Sequence, residues 1–166
     1  MRAGIALGAN LGDRVAGPTA AREQIFALPG ISAPFLSSSL YETEPVDCEP
    51  GAAKFLNAVI EIGFAGASSE IFRGLQRIEH ALGRPAAHAR NRSRTIDLDL
   101  LYHGDRLVAE PDLILPHPRL HQRAFVLQPL AEIRPDLILP NESATVRELA
   151  ARLAATPAVV RFPGQW

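Results

Sequence analysis

The segment Thr95–Leu101, Thr-Ile-Asp-Leu-Asp-Leu-Leu, constrains the fold of this chain more than any other feature. Apolar and acidic residues alternate in it with a period of two, which is typical of a β-strand with two unlike faces. The isoleucine and leucine side chains are predicted to face a core. Asp97 and Asp99 then share the opposite face, roughly 7 Å apart. Two carboxylates this close repel each other, and a divalent metal with oxygen ligands, most simply Mg²⁺, relieves the repulsion. The alternative is an ordinary solvated sheet face.

Arginines cluster around this strand, although the whole chain of 166 residues has a formal net charge of only −1. Guanidinium groups bind phosphate oxygens with two parallel hydrogen bonds and stay charged. The basic residues near the acidic pair are Arg84, Arg90, Arg92, Arg94, His117, Arg119 and Arg123. Together with the aspartates they predict a site for a nucleoside triphosphate and metal ions. The alternative is a solvated loop that forms salt bridges to the two aspartates.

Two further patterns indicate ligand contacts. Phe55 and Asn57 share one face of a predicted strand, and a ring beside a side-chain amide suits a flat heterocycle, although an ordinary packing pair has the same spacing. Glu79 borders the apolar stripe of a predicted helix. Its carboxylate would accept hydrogen bonds from a ribose or pair with Arg77 or Arg84, and the spacing leaves both open.

The order of the predicted elements indicates the fold class. Strands are predicted at 3–7, 31–43, 55–64 and 95–102, with helices at 18–28 and after a cap at Ser68 or Ser69. This strand, helix, strand, strand, helix, strand order predicts an α+β fold with a ferredoxin-like βαββαβ antiparallel sheet and helices packed on one face.

Beyond this unit we expect a C-terminal extension. It includes a hairpin near Gly104-Asp105, a helix from about 122 to 133 and a helix after the capping-box pattern Thr145-x-x-Glu148. Residues 1–166 are expected to form a single domain. The last twenty-odd residues, which include Trp166, receive no predicted role beyond closing that domain.

Composition and motifs exclude several classes of function. Cys48 is the only cysteine, so no internal disulfide forms, and no apolar stretch reaches the length of a membrane span. The near-neutral charge predicts neither nucleic-acid nor membrane partners. Gly8 and Gly12 precede Asp13 rather than Gly-Lys-Ser/Thr, so a P-loop is excluded. We expect a cytoplasmic protein that is a monomer or a weak dimer.

Six stretches resemble, in order, the 6-hydroxymethyl-7,8-dihydropterin pyrophosphokinase (HPPK) family of folate biosynthesis. They are Ala6–Asp13, Tyr41–Pro45, Phe55–Ala58, Ile78–Arg84, Arg94–Leu101 and Leu115–Leu130. The resemblance implies transfer of diphosphate from ATP to a reduced hydroxymethyl pterin, with two Mg²⁺ ions and AMP as co-product. It also implies that loops 44–53 and 83–94 close over the substrates, which would exclude competing water.

The resemblance also implies residue roles. Asp97 and Asp99 would hold both metal ions and, with Arg84 and Arg94, act in catalysis. The residues implied at the nucleotide are Gln76, Glu79, Arg84, Arg90, Arg92, Arg94, Leu100, His117 and Arg123. The residues implied around the pterin are Thr43, Pro45, Val46, Phe55, Asn57 and Phe125, with the two phenylalanines on either side of the ring.

Three positions depart from the family pattern: Ala86, Asn91 and Pro118 stand where an arginine, a tryptophan and a tyrosine are frequent. Our hypothesis is that Arg90 or Arg92 replaces the missing arginine. The departures leave open a non-catalytic nucleotide sensor of the same fold, and pocket sequence alone also leaves open another hydroxymethyl pterin. An RNA-binding module has the same strand order but displays more aromatic residues and a basic surface.

Overall fold

The computed structural model describes residues 1–45, 51–83, 95–153 and 158–166. The elements in chain order are β1 (Arg2–Ala9), α1 (Ala16–Phe26), β2 (Ile31–Ser37), β3 (Tyr41–Thr43), β4 (Phe55–Phe64), α2 (Ser68–Ala81), β5 (Asp97–His103), β6 (Val108–Glu110), β7 (Leu113–Leu115), a single 3₁₀ turn (Leu120–Gln122), α3 (Ala124–Ile133), α4 (Val146–Arg152) and β8 (Val159–Arg161). None of the described helices is both long and apolar enough to cross a membrane.

The main sheet has the strand order β5-β1-β4-β3-β8, and β2 also pairs with β4. All of its pairings are antiparallel, which confirms the predicted α+β fold. The predicted single strand 31–43 is divided in two. Ser38 lies at the break, where its backbone N–H donates to Val59 O at 2.9 Å and its hydroxyl accepts the Val59 N–H at 3.0 Å.

One face of the sheet packs against α1 and α2, as the alternation of side chains predicts. β1 contributes Ala3, Ile5 and Leu7 to this core, and β5 contributes Leu98 and Leu100, which are 5% and 3% exposed. The leucines of the Asp-Leu-Asp-Leu pattern therefore lie in the core. Asp97 and Asp99, which alternate with them, are directed to the other face of the sheet.

The other face carries α3 and α4, so the extension after β5 supplies the second layer. Val59 of β4 and Leu101 of β5 pack there against Leu127, Leu130 and Val146. We call the end of this face at the start of β4 and β5 the upper end, and the end at their last residues the lower end. The upper end holds Asp97 and Asp99.

A β-bulge in β5 separates the two ends of this face. Gly4 pairs with Tyr102 and Ile5 pairs with Leu100, so Leu101 is the extra residue on β5. The Tyr102 ring lies over Gly4, in the space that a Cβ atom at this position would occupy. Because Gly4 has no side chain, Tyr102 crosses β1 and its hydroxyl donates to Glu61 Oε2 on β4 at 2.6 Å.

Several local predictions are settled by hydrogen bonds. The Thr145-x-x-Glu148 capping box is confirmed, since the Thr145 hydroxyl accepts the Glu148 N–H at 3.3 Å and the Glu148 carboxylate accepts the Thr145 N–H. The predicted serine cap of α2 is wrong. Ala67 is the N-cap and its N–H donates to Glu70, whereas Ser68 Oγ bonds to His103 Nδ1 at 2.9 Å.

The predicted hairpin near Gly104-Asp105 is also misplaced. A turn does form there, with the Arg106 N–H bonded to His103 O, but the hairpin is the pairing of β6 with β7 one turn later in the chain. The predicted helix from about 122 to 133 is α3, which begins at Ala124; a separate 3₁₀ turn ends at Gln122, and Arg123 between them is extended.

Candidate active site

The register of the central strands creates a shallow trough at the upper end of the sheet. Gly8 of β1 pairs with Asn57 of β4 on one side and with Asp97 of β5 on the other. Paired residues of neighbouring strands point to the same face, and two strand spacings amount to about 10 Å. Asn57 and Asp97 therefore stand on opposite sides of a residue without a side chain. The trough has a carboxylate side and an amide side.

The carboxylate side brings together three predicted residues from distant parts of the chain. Arg123 Nη1 donates to Asp99 Oδ2 at 3.0 Å, and His117 Nε2 lies 3.9 Å from the same oxygen. Their side chains are partly exposed, at 34% for Asp99, 18% for Arg123 and 15% for His117. Asp97 is also partly exposed and has interactions of its own. The group is reachable from solvent, as a binding site must be.

His117 is held in a defined orientation by the turn that follows β7. Its N–H donates to Leu101 O at 2.8 Å, and its Nδ1 accepts the Arg119 N–H at 3.2 Å. The proton of the neutral ring is therefore assigned to Nε2, the nitrogen nearest Asp99. Burial lowers the pKa of His117 from its ordinary value of 6.5, Asp99 opposes that shift, and Arg123 and Arg119 add to it.

The amide side is organised by one buried hydrogen bond. Asn57 Nδ2 donates to Thr43 Oγ1 at 2.8 Å, and the two residues are 6% and 4% exposed. This bond fixes the orientation of the amide. Asn57 Oδ1 then lies beside Gly8, where it would be 3.2 Å from a Cβ atom. The side chain thus directs an acceptor over the floor of the trough.

Aromatic side chains lie on both layers near the trough. Phe55 begins β4, pairs with Thr43 and is half-buried. Phe125 lies in the first turn of α3, packs against the α3–α4 core and has the Arg123 guanidinium 5.5 Å from its ring centroid. Arg123 therefore contacts both Asp99 and the Phe125 ring, so that an aromatic surface lies next to the carboxylate side of the site.

Glu79 is brought to the strand that carries the aspartates. It is 8% exposed, and its Oε1 accepts the N–H of Leu98, the residue between Asp97 and Asp99, at 2.7 Å. Since β5 stands at one end of the strand order, this bond satisfies a donor that points away from β1. Glu79 thus holds β5 through a hydrogen bond to its backbone.

The other two described residues implied at the nucleotide are Leu100 of β5 and Gln76 of α2. The Leu100 side chain lies in the core on the opposite face of β5 and is 3% exposed, and its role at the nucleotide stays a prediction. Gln76 lies on the exposed outer side of α2 near Arg73, Arg77 and His80, which together line a shallow depression. Gln76 and Glu79 are three residues apart in α2, so helical periodicity makes them neighbours on the helix surface, Gln76 exposed and Glu79 buried.

Several predicted residues lie outside the described residues. They are Val46, Arg84, Arg90, Arg92 and Arg94, together with the departures Ala86 and Asn91. Pro45 is described and is half-buried at the end of β3. Pro118 is exposed in the turn that follows His117.

Charged groups that sequence reasoning did not single out connect the segment after β1 to β3 and to the segment before β4. Arg14 donates to Glu42 at 3.1 Å and to Lys54 O at 2.9 Å, and Lys54 lies 2.8 Å from Glu44. Asn10 Nδ2 also donates to Ala53 O at 3.1 Å. These bonds connect the segment after β1 to the segments that flank residues 46–50.

The carboxylate side has two acidic side chains on one strand, Asp97 and Asp99. Among the described residues no group of three or more His, Cys, Asp or Glu side chains is suited to hold a metal. The two aspartates supply oxygen ligands on one face of a strand, and Mg²⁺ commonly takes one or two carboxylates with its other positions filled by water and substrate phosphates. Asp97 and Asp99 therefore fit Mg²⁺ bound together with a phosphate ligand.

Sequence reasoning missed Gly8 as the floor of the trough. The available signal was the alternation itself, because Gly8 and Ala6 occupy the positions of β1 that point to the same face as Asp97 and Asp99. Small residues in a strand often mark a place where a ligand approaches the backbone.

Comparisons with known proteins give one consistent answer. The sequence model described as 7,8-dihydro-6-hydroxymethylpterin-pyrophosphokinase (HPPK) matches residues 4–135. A Bacillus subtilis protein named 2-amino-4-hydroxy-6-hydroxymethyldihydropteridine pyrophosphokinase is 42% identical over 131 residues, 78% of this chain and 75% of that protein. A protein of the same name from Methylorubrum extorquens is 40% identical over 152 residues, 92% of this chain and 93% of that protein.

Solved structures support the fold. The crystal structure of Plasmodium falciparum HPPK-DHPS wild type with SDX-DHP matches with a TM-score of 0.71 at 13% identity, over 91% of this chain. The chain spans 44% of that solved chain, so this likeness concerns one part of a longer protein. By the extent of the family match and the identity to full-length relatives, this chain belongs to the HPPK family.

Proposed function

We propose that this chain transfers diphosphate from ATP to the hydroxymethyl group of 6-hydroxymethyl-7,8-dihydropterin, a step of folate biosynthesis. The observation that carries the proposal is the row Asn57, Gly8, Asp97 in a chain of the HPPK family. It combines a side for a flat heterocycle with a side for metal-bound phosphates. A site of this kind suits a reaction in which one substrate binds on each side and the reacting groups meet over Gly8.

The reaction needs little covalent chemistry from the protein. The hydroxymethyl oxygen forms a bond to the β-phosphorus of ATP, and the bond from that phosphorus to the oxygen bridging it to the α-phosphorus breaks. AMP leaves, the hydroxyl proton is released, and the pterin diphosphate is formed. Positioning and stabilisation of charge are the main contributions of the enzyme to such a transfer.

Asp97 and Asp99 are the residues that would hold Mg²⁺. The family resemblance implies two such ions. Bound there, the metal supplies neutralisation of the phosphate oxygens and fixes their orientation. The two carboxylates contribute negative charge that balances the cations and restricts where they bind. Because both lie on one strand, their separation is fixed by the backbone rather than by a flexible loop.

Arg123 and His117 supply donors beside this pair. Arg123 is already placed by its bond to Asp99 and retains further guanidinium N–H groups for phosphate oxygens. His117 has Nε2–H directed to the same region, and it donates in its neutral form as well. Arg84, Arg94 and either Arg90 or Arg92 are proposed to complete the phosphate contacts.

The amide side is proposed to bind the pterin. Asn57 offers Oδ1 to an N–H group of the ring, while its own N–H₂ group is held by Thr43. Phe55 and Phe125 offer faces for stacking, and Pro45 and Val46 complete the wall. Buried, fixed acceptors discriminate strongly because a ligand that lacks the matching donor leaves them unpaired.

Glu79 and Gln76 are proposed to lie at the nucleotide. Glu79 orients the Asp97–Asp99 backbone through Leu98, and its carboxylate is proposed to contact the ribose. Gln76 would reach the nucleotide from the outer side of α2. We further propose that residues 1–166 form a single domain. The protein is proposed to be cytoplasmic, and to be a monomer or a weak dimer.

The test is analysis of the nucleotide products with MgATP and 6-hydroxymethyl-7,8-dihydropterin. We expect AMP in a one-to-one ratio with the phosphorylated pterin, and no AMP when a pterin without the hydroxymethyl group is supplied. ADP as the nucleotide product would contradict diphosphate transfer. ATP binding without any AMP would instead support a nucleotide sensor.

The replacement of the missing family arginine has its own test. Arg90→Ala and Arg92→Ala are each compared with Arg147→Ala, at an exposed position on α4. At least one of the first two is expected to lower kcat by about 100-fold, as the loss of a single charge-stabilising donor does. Full turnover in both would refute the substitution.

A further inference from the structure

The last described segment, residues 158–166, borders the amide side of the site along the whole length of β3. β8 pairs antiparallel with β3, so that Thr43 is opposite Val159 and Tyr41 is opposite Arg161. The Phe162 N–H continues this contact by donating to Leu40 O at 2.8 Å. The segment lies beyond residues 4–135, the range that the family model matches.

Trp166 closes the contact at the break between β2 and β3. Its indole Nε1–H donates to Ser38 O at 2.8 Å, and its ring packs against a small core that contains Leu40 and Leu56. Ser38 is in turn bonded to Val59 of β4 through both its backbone and its hydroxyl. The indole therefore adds a further hydrogen bond at Ser38, three residues before β3 begins at Tyr41.

The Trp166 side chain is itself held from α1. The Arg22 guanidinium lies 4.6 Å from the indole ring centroid, and its Nη1 donates to the main-chain oxygen of Trp166. Val15, at the start of α1, packs against the same small core. Trp166 thus joins three parts of the chain: α1, the β2–β3 break and β8.

We propose that Trp166 is a positioning residue for the heterocycle, acting through Ser38 and β3 on the Thr43–Asn57 pair. This inference rests on the proposed function. β3 has only three residues, and Thr43 at its end is what orients the Asn57 amide. A displacement of β3 would therefore move the fixed acceptor over Gly8.

The strand order makes this effect selective. β3 and β5 are separated by β4 and β1, which places them about 14 Å apart at the usual strand spacing. Asp97, Asp99, His117 and Arg123 lie on the β5 side. Loss of the Trp166 contacts is therefore expected to weaken binding of the pterin and to leave ATP binding unchanged.

The experiment is steady-state kinetics of Trp166→Ala and Trp166→Phe with pterin and MgATP varied separately. Trp166→Ala is expected to raise KM for the pterin by about tenfold, and Trp166→Phe, which keeps the ring but loses the N–H donor, by about threefold. KM for ATP is expected to stay within about twofold in both. Val160→Thr, at a β8 position that is 59% exposed, is the matched control.

The outcomes separate the possibilities. Equal increases in both KM values, or a lowered melting temperature with both KM values unchanged, would mean that Trp166 only stabilises the fold. If Trp166→Ala does not fold, the Trp166→Phe variant alone decides by the same criterion. No AMP from the unaltered protein would refute the proposed function, whereas an active protein with an unaltered pterin KM in the Trp166 variants would refute only this inference.

Discussion

The acidic residues at the two ends of one sheet face differ in burial and in the partners that compensate their charge. At the lower end, Glu61 is fully buried and accepts hydrogen bonds from Arg2 at 2.7 Å, Arg134 at 2.6 Å and the Tyr102 hydroxyl at 2.6 Å. One carboxylate there meets two arginines and a tyrosine. At the upper end, Asp97 and Asp99 lie on one strand, partly exposed, and Asp99 is paired with Arg123.

The difference separates a structural ion pair from a binding site. Glu61 has its charge compensated and its oxygens satisfied within the protein, so a further ligand would gain little there. The upper end collects two negative charges that a cation or cationic complex would stabilise. Both ends use the same strands, so the contrast arises from the side chains and not from the fold.

The largest expected effect is on catalysis at the upper end. Asp97→Ala removes one of the two proposed metal ligands, and kcat is expected to fall by about a thousandfold or more because the charge of the phosphates is no longer neutralised. Rates of AMP formation measure it, with the exposed Asp112→Ala as the matched control. A fully active Asp97→Ala variant would remove the metal assignment.

The next effect is on stability at the lower end. Glu61→Ala leaves the 2% exposed Tyr102 hydroxyl without its acceptor and two arginines without their partner, and is expected to cost about 3 kcal/mol. Urea unfolding measures the change, and Glu61→Gln, which keeps an acceptor, is expected to cost less. A stability equal to that of the unaltered protein would contradict the structural role of this cluster.

Two glycines of β1 sharpen the comparison further. Gly8→Ala places a methyl group on the floor of the trough, 3.2 Å from Asn57 Oδ1, and is expected to raise KM for the pterin by about tenfold. Gly4→Ala, on the same strand at the lower end, meets the Tyr102 ring and is expected to lower stability instead. A raised pterin KM in Gly4→Ala alone would reverse our assignment of the two ends.

The smallest expected effect is a loss of folding stability at alkaline pH, caused by Tyr102 at the lower end. Burial, followed by the Glu61 charge and hydrogen bond, raises the pKa of Tyr102 well above its ordinary value of 10.0. Its contribution to stability is therefore complete below pH 10 and is lost as the pH rises through the folded pKa, because only the unfolded state ionises there. Urea unfolding as a function of pH should show this loss, and Tyr102→Phe should make it shallower. An equal slope in both proteins would contradict the assignment.

The upper end could be predicted from sequence because its pattern is local. Asp97 and Asp99 are two positions apart, so strand alternation alone directs them to one face, and the burial of Leu98 and Leu100 confirms this. His117 and Arg123 lie in a different part of the chain; the sequence marked them as basic residues near the pair, and the family resemblance implied their role at the phosphates. Spacing could not have joined them to Asp99.

The lower end and β8 could not be predicted because their partners are remote. Arg2, Tyr102 and Arg134 lie 59, 41 and 73 positions from Glu61, and no local rule pairs them. The available signal was a glutamate within a long and mostly apolar strand. β8 is three residues long and forms only because β3 offers it an edge.

The most direct test of the contrast is the free energy of unfolding of the Asp97→Asn, Asp99→Asn double variant without nucleotide. The asparagines keep the shape and an acceptor for Arg123 but remove two like charges. The account predicts a stability within about 1 kcal/mol of the unaltered protein, or above it, because these charges serve a ligand rather than the fold. A loss of about 3 kcal/mol, as expected for Glu61→Ala, would show that the upper carboxylates are structural as well.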